Sequence, residues 1–208
     1  MEESHFSEKE SLALISQMIR QTQQNMKVGS GNILLYYGYP AVVIAVVVYF
    51  LVHLTHNQLW ASLWFMMFIP SVVLKIKNAG KRPEVVTYMD KAVGNAWSVI
   101  GSLFLLSVIG IGGTGYFVGS CNFALMLPLS LLYAGIGVAI TGVITKFPVL
   151  VYTPLVAFAV AIYMLVSLVA HGEIPAVWHL LFGIAFLVMM VIPGHILNHK
   201  SLESCSKS

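Results

Sequence analysis

Charge is what this sequence has least of. Only 9% of its 208 residues are Asp, Glu, Lys or Arg, while 58% are hydrophobic; an average soluble domain carries about 25% charged residues. A deficit of that size excludes an ordinary water-soluble globule. It excludes a disordered chain as well, since disorder needs charge and few apolar groups. With 11 Lys+Arg and a net charge of +3 there is no dense basic stripe, which argues against a nucleic-acid partner. Cysteine is nearly absent, Cys121 and Cys205 being the whole supply. Gly-x-Ser-x-Gly, a phosphate-cradling glycine loop, His-Glu-x-x-His and paired carboxylates are all missing, so no nucleophilic or hydrolytic constellation is legible. The sequence specifies no cofactor.

What remains is a series of apolar runs. They predict spans at Ile33–Leu54, Leu59–Lys75, Ala96–Val118, Phe123–Thr145, Val149–Ala170 and Pro175–Leu197. Each has the roughly 17–25 residues that a helix needs to cross hydrocarbon with its backbone groups bonded internally. The runs do not alternate with period two, so a transmembrane barrel is excluded. The expected fold is all-α: a polytopic membrane protein with six transmembrane helices in one bundle.

Orientation follows from the cations. All eleven lie before span one (Lys9, Arg20, Lys27), between spans two and three (Lys75, Lys77, Lys81, Arg82, Lys91), after span four (Lys146) or in the tail (Lys200, Lys207). The other three connections have none. Under the positive-inside rule both termini are expected in the cytoplasm. Tyr36, Tyr37, Tyr39, Trp97 and Tyr152 then fall at the inner interface, and Trp60, Trp64, Tyr116 and Trp178 at the outer one, where aromatic rings form belts. Cys121 and Cys205 fall on opposite sides of about 30 Å of hydrocarbon, beyond the reach of a disulfide.

Outside the bilayer the chain divides into residues 1–31, a cytoplasmic amphipathic helix and its cap; a connection at 76–95 within the 32–198 membrane domain; and a tail at 199–208. Ser7 and Glu10 form a capping box, and Leu12, Ile15, Met18, Ile19 and Met26 recur near helical spacing. Gly29 and Gly31 supply the stop. Such a helix lies on the membrane or docks a cytoplasmic protein partner or a second copy of the chain. Internally, the first and third hairpins share an outer His before a Trp (His56 and Trp60, His171 and Trp178) and an Ile-Pro pair (Ile69-Pro70, Ile192-Pro193). Those matches suggest a duplicated unit.

Three clusters are candidate sites. On the outer side His53 and His56, three apart on one helix face, join His179 and Glu173 as a potential zinc or copper set; interfacial histidines at helix ends are the plainer reading. At the inner side His195, after Pro193-Gly194, and Lys146 form a candidate polar site for a proton or a lipid phosphate. In span three Gly110, Gly112, Gly113 and Gly115 either unwind the helix beside a solute pathway or let another helix approach. No Asp, Glu, Lys or Arg stands at mid-membrane depth, whereas ion-coupled carriers usually keep one there.

The stretch Leu132–Pro148 (LYAGIGVAITGVITKFP), the ending Ile192-Pro193-Gly194-His195-Ile196-Leu197, and Ser11–Ile19 with Gly31-Asn32 and Gly38-Tyr39 together resemble an uncharacterised family of six-span inner-membrane proteins of Bacteroidota. The resemblance covers nearly the whole chain. It implies a bacterial inner membrane and brings no activity, cofactor or catalytic residue with it. The expected function is a non-enzymatic sensor or accessory module acting through the N-terminal helix. The alternatives are a small-solute transporter or channel beside span three and, more weakly, an outer metal site.

Overall fold

A computed structural model describes residues 31–78, 88–119, 123–172 and 175–206; for Ser71, Leu74, Lys75, Lys77, Asn78 and residues 201–206 it covers the backbone alone. The amphipathic segment expected over residues 1–30 and most of the 76–95 connection lie outside the described residues. Every described element is helical. Helix α1 is Asn32–Thr55; a 3-10 segment, Gln58–Met67, leads into α2, Phe68–Asn78; α3 is Tyr88–Val118. A short turn at Phe123–Leu125 opens α4, Met126–Thr145, and α5, Pro148–Tyr152, runs on into α6, Pro154–His171. The last span is α7, Val177–Phe186, a π segment at Leu187–Val191, and α8, Ile192–Ser206. Five helical stretches are long and apolar enough to cross a membrane: Asn32–Thr55, Tyr88–Val118, Phe123–Thr145, Pro148–His171 and Val177–Lys200.

The second expected span is the irregular one. Its ten 3-10 and eleven α-helical residues extend about 36 Å at ~2.0 and ~1.5 Å per residue, enough for a hydrocarbon core of about 30 Å. The last span is irregular for a visible reason. Pro193 has no N–H to return to Met189 and its ring crowds that carbonyl; the turn before it widens to π geometry. The two Ile-Pro pairs thus share a structural place. Pro70 and Pro193 each stand in the first turn of an α-helix (α2 and α8) that follows a non-α helical segment.

Around the bundle, spans neighbour one another in the order three, four, five, six, one, two, and Phe68 of span two meets Phe104 of span three with ring centroids 5.9 Å apart. Lipid tails are as apolar as leucine, so close packing rather than water exclusion holds such helices together. Helix α1 buries Leu34, Gly38, Ala41, Ala45, Val48 and Val52, a seam repeating every 3.5 residues. A Cβ on Gly183 of α7 would come within 2.7 Å of Ala45 Cβ. Helix α4 buries Leu131, Gly135, Val138 and Gly142 against Ala157, Ala161 and Met164 of α6. Span three is the least buried; its polar ties to α4 are Trp97 Nε1–H to Thr141 Oγ1 at 3.1 Å and Ser107 Oγ to Tyr133 OH at 2.6 Å.

Candidate functional site

The end of the bundle that carries the histidines is built around one of them. His53 is exposed and stacks on Tyr49, centroids 5.6 Å apart. His56 is exposed and caps α1 in the left-handed conformation, φ 51°. His171 is exposed, its Nδ1 3.2 Å from Ser167 O. His179 alone enters the core, at 1% exposure, beside Trp178, also 1%. Its Nδ1 accepts from Trp64 Nε1–H at 3.2 Å, and Phe182 closes on the Trp64 ring with centroids 4.5 Å apart. An indole N–H only donates, so Nδ1 is the bare nitrogen and the neutral ring carries its proton on Nε2.

That arrangement changes one expectation. Trp178 does not join an interfacial belt; it is packed inside. Among the described residues no three His, Cys, Asp or Glu gather closely enough to hold a metal ion, and Glu173 lies outside them. His53 and His56 point to the surface while His179 spends its free nitrogen on Trp64. The Nε2–H of His179 and the Nε1–H of Trp178 are buried with no acceptor among the described residues. A buried donor in that state calls for water.

The opposite, lysine-bearing end holds a denser polar network, made where α1 begins and α8 ends. Gly31 N–H donates to Asn198 Oδ1 at 3.1 Å, and Asn198 Nδ2–H donates to Asn32 Oδ1 at 2.7 Å. Tyr39 OH lies 2.6 Å from His195 Nε2. The approach depends on glycine on both sides: a Cβ on Gly31 would strike Gly194 O and the Asn198 side chain, and one on Gly194 would sit 2.9 Å from Leu35 Cδ2. Beside this network is a groove of about 490 Å³ lined by Asn32, Leu35, Tyr36, Tyr39, Pro40, Ile69 and Pro70.

His195 is therefore brought into a site, with Tyr39 as its partner. Lys146 is not part of that pair: it is exposed, with φ 55° at the C-terminal cap of α4. Its neighbour Phe147 lies under the Lys200 ammonium, 5.2 Å from the ring centroid. Asn32 and Trp64 are not singled out by the sequence as site residues, whereas Asn198 stands a turn beyond His195 in the same inner cluster. Asn at both the start of the first span and the end of the last was the available signal.

Three glycines of the α3 run make no close approach to another helix of this chain. A Cβ at Gly110, Gly112 or Gly113 would meet nothing within 4 Å, so these positions face away from the bundle. Gly115 is buried. The glycines that let helices approach are in α4: Gly135 against Phe158, Gly137 against Trp97 and Ile100, and Gly142 against Leu150 and Val151.

All-helical architecture with several apolar crossings defines a multi-pass integral membrane protein. Comparison with protein-family models, curated proteins and solved structures returns no match.

Proposed function

We propose that this is a non-enzymatic sensor or accessory module of a bacterial inner membrane, with both termini cytoplasmic, working through its N-terminal amphipathic segment. The observation that carries the reading is the clamp at Gly31. The point where that segment joins the membrane domain is bonded to Asn198 on the last span, and glycine faces glycine there. A shift in the last span is thereby transmitted to the chain entering from residues 1–30, and the reverse. The last span has a π segment in its middle, a geometry that recurs at functional positions. Placement of the termini in the cytoplasm rests on the one-sided distribution of all eleven Lys and Arg.

Two experiments test this. Cross-linking in intact cells followed by affinity purification should recover a cytoplasmic partner or a second copy of the chain. Deleting residues 2–28 should abolish that recovery with the membrane domain still inserted, and Asn198→Ala should lower it by about fivefold or more, the effect of losing two hydrogen bonds that together contribute about 1–3 kcal/mol. Recovery unchanged by both would remove the N-terminal segment from the function. Separately, a membrane-impermeant maleimide should label Cys121 in intact spheroplasts and Cys205 only after permeabilisation. The reverse pattern would invert the orientation.

A further inference from the structure

The groove between the first two spans has no role in that scheme. Its walls are Leu35, Tyr36 and Pro40 from α1 and Ile69 and Pro70 from α2. In a membrane-spanning bundle these residues stand in the hydrocarbon, and Ile69 is 50% exposed, so the groove opens sideways to lipid. An empty groove would forfeit dispersion contacts along its whole lining; a lipid chain is the available filler. Three of the lining residues carry polar groups, Asn32, Tyr36 and Tyr39, and two of them are held by the last span: Asn32 by Asn198 at 2.7 Å and Tyr39 by His195 at 2.6 Å. Hydrogen-bonding groups fixed at an otherwise apolar groove match a molecule with a chain and a polar head.

Charge selects the head. The groove lies at the same end of the bundle as Lys146 and Lys200, and α2 continues from Pro70 through Lys75 and Lys77, one to two turns further toward that end. The segment preceding α1 adds Lys27, and no Asp or Glu occurs between Glu10 and Glu84. Across residues 11–83, the stretch of sequence that contains both groove-lining helices, every charged side chain is therefore a cation. A negative headgroup is complementary to that field, a zwitterionic one much less so.

We infer that this groove is a binding site for one anionic phospholipid of the leaflet on the basic side, its acyl chain along Leu35, Pro40 and Ile69 and its headgroup at Tyr39, His195 and Asn32. The site goes beyond the module reading and stands without it. The test uses the full-length protein in detergent, incubated with equimolar phosphatidylglycerol and phosphatidylcholine and analysed by native mass spectrometry. The expected result is one tightly held phosphatidylglycerol, preferred about tenfold, a difference equivalent to about 1.4 kcal/mol. Ile69→Trp, a substitution on an exposed position that fills the groove, should remove the bound lipid. Lys75→Gln combined with Lys77→Gln should keep a bound lipid and lose the preference. Val169→Trp, at an 89% exposed position on α6, should change neither. Equal retention of the two lipids by the unaltered protein would overturn the anionic assignment. A preference that survives Ile69→Trp would overturn the site.

Discussion

Gly142→Leu is expected to destabilise the membrane domain by about 3 kcal/mol or more, the upper range for forcing a side chain into a closed contact. The reason is local and backbone-deep. A Cβ at Gly142 would lie 2.7 Å from both Leu150 C and Val151 N, atoms of the next helix that no rotamer change can move. Gly142 O also accepts from Phe147 N–H at 2.9 Å, closing the turn between α4 and α5, so displacing the helix strains the turn with it. Gly112→Leu in α3 is the matched comparison. Nothing lies within 4 Å of its Cβ direction, and replacing an unpacked helical glycine is worth about 0.5–1 kcal/mol in favour of the helix. Unfolding of the purified protein in mixed detergent micelles, followed by far-ultraviolet circular dichroism, should separate the two variants by roughly 4 kcal/mol. Equal stabilities would refute the assignment of packing to α4. A Gly112→Leu protein that folds normally but loses activity or self-association in cells would instead place a second molecule, or a solute path, on the outer face of α3.

The contrast shows what the sequence made legible and what it hid. Apolar runs announced the five long crossings and the irregular second stretch, and both ends of α1 and the C-terminal end of α4 fall within a residue of expectation because hydropathy changes sharply there. Span three was expected from Ala96 and the helix begins at Tyr88, since Asp90 and Lys91 end the apolar run without ending the helix. The 3-10 geometry of Gln58–Met67 leaves no signature in an all-apolar stretch, where periodicity has nothing to alternate with. Glycine content alone misdirected the packing assignment. The density of glycine is highest in α3, yet only position relative to a neighbouring helix makes a glycine useful, and that is a tertiary property. The order of helices around the bundle is of the same kind. At the sites, the sequence located His179 and His195 as exceptional, because a polar ring in an apolar run is conspicuous. Their partners Trp64 and Tyr39 passed for belt aromatics, which differ from hydrogen-bonding aromatics only in what stands opposite them.

The chemistry of His179 is the sharpest remaining point. His179→Ala is expected to cost about 3 kcal/mol, combining a vacated core position with a half-buried Trp64 N–H that loses its acceptor. In a Trp64→Phe background the donor is already gone, so the same substitution should cost less, by about 1 kcal/mol, and the difference is the coupling across the 3.2 Å bond. His179→Gln retains an amide oxygen as acceptor and should recover part of the loss. A metal-binding His179 behaves differently at each step. The nitrogen not facing Trp64 carries the proton in the neutral ring, so it has no lone pair for a cation, and coordination would require the tautomer to switch and the Trp64 bond to break. Zinc or copper should therefore leave the unfolding midpoint of the unaltered protein where it is. If either ion raised that midpoint, and His179→Ala or His53→Ala erased the rise, then the Trp64 bond would be the resting state of a metal site instead of the structural tie between the second and last spans.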